Sequence, residues 1–539
     1  MDMRRERRIG PGRNERRELK IRPMRGIRRM LHSMGINHYF IQDKIARKGN
    51  TVAYLFGILF LFLSVSLLAP MAVAYYYGDD LRPWIYPFLL TAALGIPLLL
   101  RFQPAEMTRA TEALFVVTNA WLMVTVFGAI PYVLYGMSVV DAMFETMSGF
   151  TTTGATIMVS IESWPKSLLF WRSMTQWLGG AGIILVFITI FPLLGVAGRS
   201  LARKEFAGMD VQNFSRRIQE ESMKFHYIFF GLSAAMVLLL LLTGIGVYDS
   251  FTVMFSTLST GGFSPHTESI AFYGNVMVEW IVIIFMFLAG TNFYLHFQAL
   301  RNRDRKAYWR NGEFRSYFII LALASAVGAL FLWGNPYTDA FEVVTDSTFQ
   351  MISVMTSTGF ATTDFALWRV EVVFILLLLM GIGGCTASTA GGLKVARLVL
   401  LRKFITTTLH KTVHPRAMFS IKLDGRTLNE GAITSVMAIV VCYIGTSLLS
   451  AAALVFMGIQ PDMAVSAAVS AVSNCGPALG ELGPLGTYGG LPDMAKVVLT
   501  FTMWAGRLEF LTVFSLLTPV FWRELLRYRR GETRLSDQK

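Results

Sequence analysis

Four stretches of this chain carry the residue types from which a cation site can be built. They read DAMFETMSGFTTTGATI (141–157), DSFTVMFSTLSTGGFSP (249–265), DSTFQMISVMTSTGFATTD (346–364) and DMAVSAAVSAVSNCGPALG (462–480). Each opens on an aspartate, runs semi-apolar, and ends in small, mostly hydroxyl-bearing residues before a glycine. The glycines read as equivalent are Gly154, Gly261, Gly359 and Gly476, which lie 13, 12, 13 and 14 residues after Asp141, Asp249, Asp346 and Asp462. An aspartate at that place is expected to cap and charge the start of a short helix. The partial negative end of the helix, and the carbonyls beyond it, then face whatever lies past the glycine. Four such strands around one axis can replace the water shell of a dehydrated cation, with glycine allowing the backbone to turn its carbonyls inward.

Two charged residues sit where charge is costly. Lys394 ends GIGGCTASTAGGLK (381–394), a run so rich in Gly, Ser and Thr that the helix around it is expected to unwind. The run lacks the G-x-x-x-x-G-K-[ST] spacing of a phosphate loop. Close packing of small residues is the alternative use for it. Arg507 lies about eleven residues into the last apolar span, where a guanidinium must face protein or water. A salt bridge to Glu509 or to a loop carboxylate is one way to accommodate it; a position facing a pore is the other.

These residues must be held by membrane helices. Of 539 residues, 54% are hydrophobic and only 16% charged, against about 25% charged in soluble domains. Uncharged runs near the ~20 residues of a span occur at 51–77, 113–140, 173–198, 225–248, 280–300, 316–338, 372–393 and 431–461. A shorter run at 84–100, with Pro87 and Pro97, and a broken one at 496–522 bring the expected number of passes to ten. The short helices between them cannot span, so they must re-enter and leave irregular backbone at membrane depth. Such backbone is tolerated only where it lines a cavity or is buried in protein. Alternate connections are basic (199–224, 301–315, 394–422 and 523–539), whereas the opposite ones hold most of the acidic residues. The positive-inside rule therefore predicts cytoplasmic N- and C-termini.

Of the net charge of +14, residues 1–48 hold +10, from fifteen Lys/Arg and five Asp/Glu. That segment has no apolar core of a signal peptide. It suits anionic lipid or a topology-fixing extension better than nucleic acid. Cys385, Cys442 and Cys475 are too scattered for a disulfide framework or a zinc site. The seven histidines are dispersed without H-E-x-x-H spacing, which disfavours a membrane enzyme.

The motifs TTTGAT (151–156), STGGFS (259–264), TSTGFATTD (356–364), SNCGPALG (473–480), GIGGCTASTAGGLKVAR (381–397) and GRLEFLTVFSLLTPVFWRE (506–524) resemble the membrane subunit of the Trk/Ktr/HKT superfamily of potassium transporters, in its TrkH branch. The resemblance covers about 50–530. It implies an all-α polytopic protein with four parallel M1–pore-loop–M2 repeats around a central pore, preceded by a two-helix hairpin. The corresponding division is 1–48 as basic extension, 49–109 as hairpin, repeats at 110–200, 223–300, 314–403 and 429–525, and a tail at 526–539.

The resemblance further implies a potassium filter from Thr152, Thr153, Gly154, Ser259, Thr260, Gly261, Ser357, Thr358, Gly359, Asn474, Cys475 and Gly476. Glycine in all four repeats accompanies potassium selectivity in this family, and serine in the first accompanies sodium permeation. Cys475, in place of a hydroxyl residue, is the expected departure from fourfold symmetry. Gly383, Gly384, Gly391, Gly392 and Lys394 map onto the family's gating loop beneath the filter, and Arg507 onto a pore-facing barrier charge. Potassium is then cargo, and no cofactor is expected in this chain. The implied partners are a second copy of the chain, membrane lipid, and a separate ring of cytoplasmic nucleotide-binding TrkA-like subunits docked on 301–315, 394–422 and 523–534; no nucleic acid is expected. Sodium- or proton-coupled transport of potassium or sodium is the alternative function. A secondary transporter of another solute fits less well, because the repeats run parallel and the midplane has few carboxylates.

Overall fold

The computed structural model describes residues 48–103, 110–190, 211–301, 303–334, 337–414, 421–423, 426–428 and 430–529. Residues 1–47, and with them nearly all of the basic N-terminal segment, lie outside the described residues, as do Arg199, Arg203, Lys204, Arg416 and Arg530. The described chain is almost entirely helical, with strand confined to two two-residue pairs.

It opens on a hairpin of α1 (Thr51–Tyr77) and α2 (Arg82–Arg101). Asn50 caps α1 by accepting from the Ala53 amide, and Gly78, at φ +77°, ends it in the left-handed region. Pro83 sits in the first turn of α2, where its missing N–H costs nothing. Despite Pro87 and Pro97, α2 continues for 20 residues, about 30 Å at 1.5 Å per residue. Gly57 and Gly95 face each other: a Cβ on Gly95 would sit 3.1 Å from the Gly57 carbonyl oxygen, so the two backbones meet closely.

Four repeats follow. Their long first helices are α3 (Ala110–Gly128), α6 (Val211–Leu242), α10 (Gly312–Leu332) and α14 (Glu430–Phe456). Their short helices are α4 (Val139–Phe150), α7 (Val247–Leu258), α11 (Ala340–Met355) and α15 (Pro461–Ser473). The return limbs are α5 (Lys166–Ile190), α8 and α9 (Val276–Ala289, Phe293–Arg301), α12 and α13 (Val370–Ile382, Val395–Val413), and α16 (Asp493–Arg507) followed by Leu511–Leu516 and Pro519–Arg529. Six helices are long and apolar enough to cross a membrane among the described residues, or seven if the pair α8–α9, bent by 99°, counts as one. Three of the four return limbs are broken. Among the described residues that of the first repeat runs as one 25-residue helix.

The four aspartates meet the expectation only in part. Asp141, Asp249 and Asp462 lie in the first turns of their short helices, where a carboxylate complements the helix dipole, but none of them is the N-cap residue. Ser138 caps α4 instead, accepting from the Asp141 amide at 3.1 Å. Asp346 lies inside α11, which begins earlier and is capped by Asp339. Its carboxylate is used sideways: it accepts from the Thr362 hydroxyl at 2.8 Å and from Tyr337 at 2.7 Å, fastening the segment after the third glycine to its helix.

Candidate ion pathway

The short helices end around a common centre, their last carbonyls taken up by neighbouring donors such as the Thr153 amide on Ser148 and Thr389 Oγ1 on Leu258. Each is followed by a strand with a repeating backbone signature. Thr152, Thr260, Ser357 and Asn474 have φ of +54°, +54°, +57° and +53°, and two residues later Gly154, Gly262, Gly359 and Gly476 have φ of +87°, +79°, +79° and +94°. The left-handed region costs a non-glycine residue about 1–2 kcal/mol, so four occurrences in register require strong surrounding packing.

This register corrects the sequence reading in the second repeat. Gly262, rather than Gly261, is the structural counterpart of Gly154, Gly359 and Gly476. The aspartate-to-glycine spacing in that repeat becomes 13, matching the first and third. The run Thr260–Gly261–Gly262 offered two glycines, and only the backbone geometry separates them. Ser259 accordingly falls one position ahead of the strand, as the residue that caps α7.

The four strands close into a ring. A Cβ on Gly154 would strike the carbonyl oxygen of Gly261, one on Gly262 that of Thr358, and one on Gly359 that of Cys475. A Cβ on Gly476 would sit 2.7 Å from the carbonyl oxygen of Thr153, which returns to the first repeat. Thr153, Gly261, Thr358 and Cys475 therefore occupy one level, with their carbonyls against the preceding strand's glycine. The side chains at this level turn into the protein: Thr153 Oγ1 meets Thr151 Oγ1 at 2.8 Å, Thr358 Oγ1 meets Thr356 Oγ1 at 2.7 Å, and Cys475 Sγ donates to the Val354 carbonyl at 3.5 Å. Because these side chains face away from the ring, Cys475 does not break its symmetry. At the same level Gly261 has no side chain at all.

The ring is fastened from behind by side chains of which the motifs singled out only Asn474. Gln176 Nε2 donates to the Gly261 carbonyl at 2.6 Å while its Oε1 accepts from the Phe263 amide at 3.0 Å. Asn474 Nδ2 donates to Thr153 Oγ1 at 3.0 Å and to the Met503 carbonyl at 2.9 Å. Tyr488 donates to the Gly476 carbonyl at 2.7 Å. Behind the first strand, Arg172 and Glu145 form a fully buried ion pair at 2.6 Å. Arg172 also donates to the Ser264 carbonyl at 2.8 Å and lies over the Phe263 ring, and Glu145 accepts from Thr156 and from the Ile157 amide, each at 2.9 Å. The pair thus staples strands one and two. Neither residue belongs to a motif, and the spacing between Glu145 and Arg172 carries none.

On one side of the ring lies a cavity of about 140 Å³, lined by Gly154, Gly262, Gly359 and Gly476 and by Arg172 and Tyr488. Next to Thr267, which lines this cavity, burial opposes ionisation of Glu162, but hydrogen bonds from the Thr267 hydroxyl and amide prevail and hold its carboxyl below the ordinary value.

The opposite side is covered by the non-helical segment 383–394, between α12 and α13. Gly383, at φ +76°, and Gly392, at +78°, are packed backbone to backbone at its neck. The segment fills the break between α8 and α9: the Cys385 amide donates to the Gly290 carbonyl at 2.9 Å and the Phe293 amide to the Ala387 carbonyl at 3.1 Å. It also reaches two of the four short helices, and the strand that follows a third, from below. Thr389 Oγ1 donates to the Leu258 carbonyl at 3.0 Å, the Gly391 amide donates to Ser357 Oγ at 2.6 Å, and a Cβ on Gly391 would collide with the Ser473 carbonyl. Gly384 packs against the Gly290 backbone, 3.0 Å from its carbonyl oxygen to an added Cβ. Lys394, at φ +75°, turns back to donate from Nζ to the Ala390 carbonyl.

Arg507 is buried at the end of α16 and donates from Nη1 to the Thr389 carbonyl at 2.9 Å. Among the described residues its Nε and Nη2 meet no acceptor. Glu509 pairs with Arg397 instead, so the salt bridge Arg507–Glu509 that the sequence allowed is not formed. A small pocket of about 20 Å³ between loop and helix end is lined by Gly391, Lys394, Asn474 and Arg507 among others, space for about one water.

Four pseudo-equivalent hairpins around a ring of backbone carbonyls, closed on one side by an intramembrane loop, define a multi-pass cation-transport protein. The family profile of TrkH, described as a cation transport protein, matches residues 86–520, and the chain belongs to that family. It is 35% identical over 476 residues to the Trk system potassium uptake protein TrkH of Escherichia coli K12, covering 87% of this chain and 98% of that protein. It is also 29% identical over 479 residues to TrkG of the same organism, covering 88% and 98%. Its fold matches the crystal structure of the potassium transporter TrkH from Vibrio parahaemolyticus with a TM-score of 0.81 at 33% identity, covering 88% of this chain and 99% of that one.

Proposed function

We propose that this chain conducts potassium into the cell through the ring formed by Thr153, Gly261, Thr358 and Cys475 with Gly154, Gly262, Gly359 and Gly476. The observation that carries the reading is the cyclic packing of each glycine against the next strand's carbonyl. A ring of this kind presents backbone oxygens in place of a cation's hydration shell, the chemistry of a selectivity filter. Thr152, Thr260, Ser357 and Asn474 supply the next level. The resemblance to named potassium uptake proteins supports potassium as cargo.

In this reading 383–394 is the gate, and Arg507 adds an electrostatic barrier below the filter. The protein sits in the inner membrane with both termini cytoplasmic, divided into repeats as the sequence reading sets out, and no cofactor is required. It functions as a homodimer in lipid, beneath which nucleotide-binding regulatory subunits dock on the basic connections; the naming of its relatives as parts of a Trk system supports a multi-component assembly. The function is tested by rubidium or potassium flux in proteoliposomes of the purified protein, with and without sodium and proton gradients. Flux that follows the potassium gradient alone supports the reading, and flux that requires a second gradient replaces it with coupled transport.

A further inference from the structure

The segment 383–394 is held by a residue outside it and outside the motifs. Glu313 lies in the first turn of α10 and is 5% exposed. One carboxylate oxygen accepts from the Thr386 amide at 2.5 Å and from the Ala396 amide at 3.2 Å, and the other accepts from the Thr386 hydroxyl at 2.7 Å. Thr386 belongs to the descending limb of the loop, and Ala396 to the first turn of α13, where the ascending limb ends. A single carboxylate on the first helix of the third repeat therefore ties both limbs together. Charge-assisted bonds of this kind are about twice as strong as neutral ones, and the N-terminal end of α13, where the Ala396 amide donates to it, favours an anion.

The tie opposes strain within the loop. Ala387 and Lys394 lie between or beside the two anchor points with φ of +53° and +75°, conformations that L residues with side chains avoid. The anchored loop presses Gly391 against Ser357 and Ser473, beneath the filter strands. Loosening the anchor frees the limbs to separate and the left-handed residues to relax, which withdraws that contact.

We propose that Glu313 is the latch of the gating loop, a positioning residue that holds 383–394 in its blocking conformation. This rests on the reading of 383–394 as the gate. Glu313→Gln keeps the shape but removes the charge and places an amide donor against backbone donors.

The test compares rubidium flux in proteoliposomes for the full-length parent, Glu313→Gln, Thr386→Val, a deletion within 384–392, and the deletion combined with Glu313→Gln. We expect roughly tenfold faster flux for Glu313→Gln, the factor that about 1.4 kcal/mol carries, and a smaller rise for Thr386→Val. The potassium-to-sodium ratio should stay at the parental value, and the combined variant should be no faster than the deletion alone. A deletion that speeds flux while Glu313→Gln and Thr386→Val remain at the parental rate overturns the latch and leaves the gate standing. A deletion without effect removes the gate itself and the latch with it. An effect of Glu313→Gln that adds to that of the deletion, or that shifts selectivity, also overturns the latch. If Glu313→Gln does not fold, Thr386→Val decides: parental flux overturns the proposal.

Discussion

The carbonyl oxygen of Thr153 lies 2.7 Å from where a Cβ on Gly476 would stand, which joins the first repeat to the fourth and closes the ring. The two residues are separated by most of the chain, yet the level they share is the one on which the filter reading depends. A substituent on any of the four ring glycines meets backbone, which cannot swing aside as a side chain can.

Gly262→Ala should therefore be far more damaging than Gly261→Ala. The first places a side chain at φ +79° against the Thr358 carbonyl, whereas the second displaces only the Gln176 side chain. At the position of Gly261 the other repeats carry Thr153, Thr358 and Cys475. Rubidium flux in proteoliposomes should fall much further in Gly262→Ala than in Gly261→Ala. The reverse order would shift the second strand by one residue.

Gly154→Ser should let sodium through and weaken the potassium preference, since it alters the first strand where it meets Gly261. Reversal potentials or competitive flux with mixed potassium and sodium gradients measure this. An unchanged potassium-to-sodium ratio would remove Gly154 from the filter.

Arg172→Met should unfold the protein more easily, because it leaves Glu145 buried without its cation. Breaking one side of a buried pair costs about 3–5 kcal/mol. Thermal unfolding in detergent should show a large drop for Arg172→Met. Adding Glu145→Gln should recover part of it, and a double variant no better than the single one would show that the pair acts otherwise than by charge.

Arg507→Ala should raise flux about tenfold, as removing about 1.4 kcal/mol from a barrier does. The substitution also removes the bond to Thr389 that ties α16 to the loop. Flux at or below the parental rate in a correctly folded Arg507→Ala would make this guanidinium structural.

Charge reversal at Arg301, Arg303 and Arg305, which are exposed at and just after the end of α9, should abolish co-purification with the proposed cytoplasmic nucleotide-binding subunits and leave membrane insertion intact. Electrostatic docking of this kind is sensitive to rim charges. Binding retained at moderate salt would place the docking site elsewhere, and the basic connections would then serve orientation alone.

The sequence by itself determined the membrane class, the fourfold repeat and the Gly-rich break at 381–394, because these rest on composition, period and local backbone propensity. It also placed Arg507 at a break in the last limb, since an arginine in an apolar run must find a polar environment. The tertiary structure decided what depends on distance across the chain. It selected Gly262 over Gly261, because both allow the same turn and only the neighbouring Thr358 carbonyl requires the absence of a side chain at one of them. It moved Asp346 from helix cap to tether, because the helix found an earlier cap in Asp339. It gave Glu509 to Arg397 and left Arg507 to the Thr389 carbonyl, a choice between partners that no spacing encodes. Gln176, the pair Glu145–Arg172 and Glu313 carry no motif, since a buried polar group is defined by the partner that satisfies it, and that partner is brought near only by the packing of separate helices.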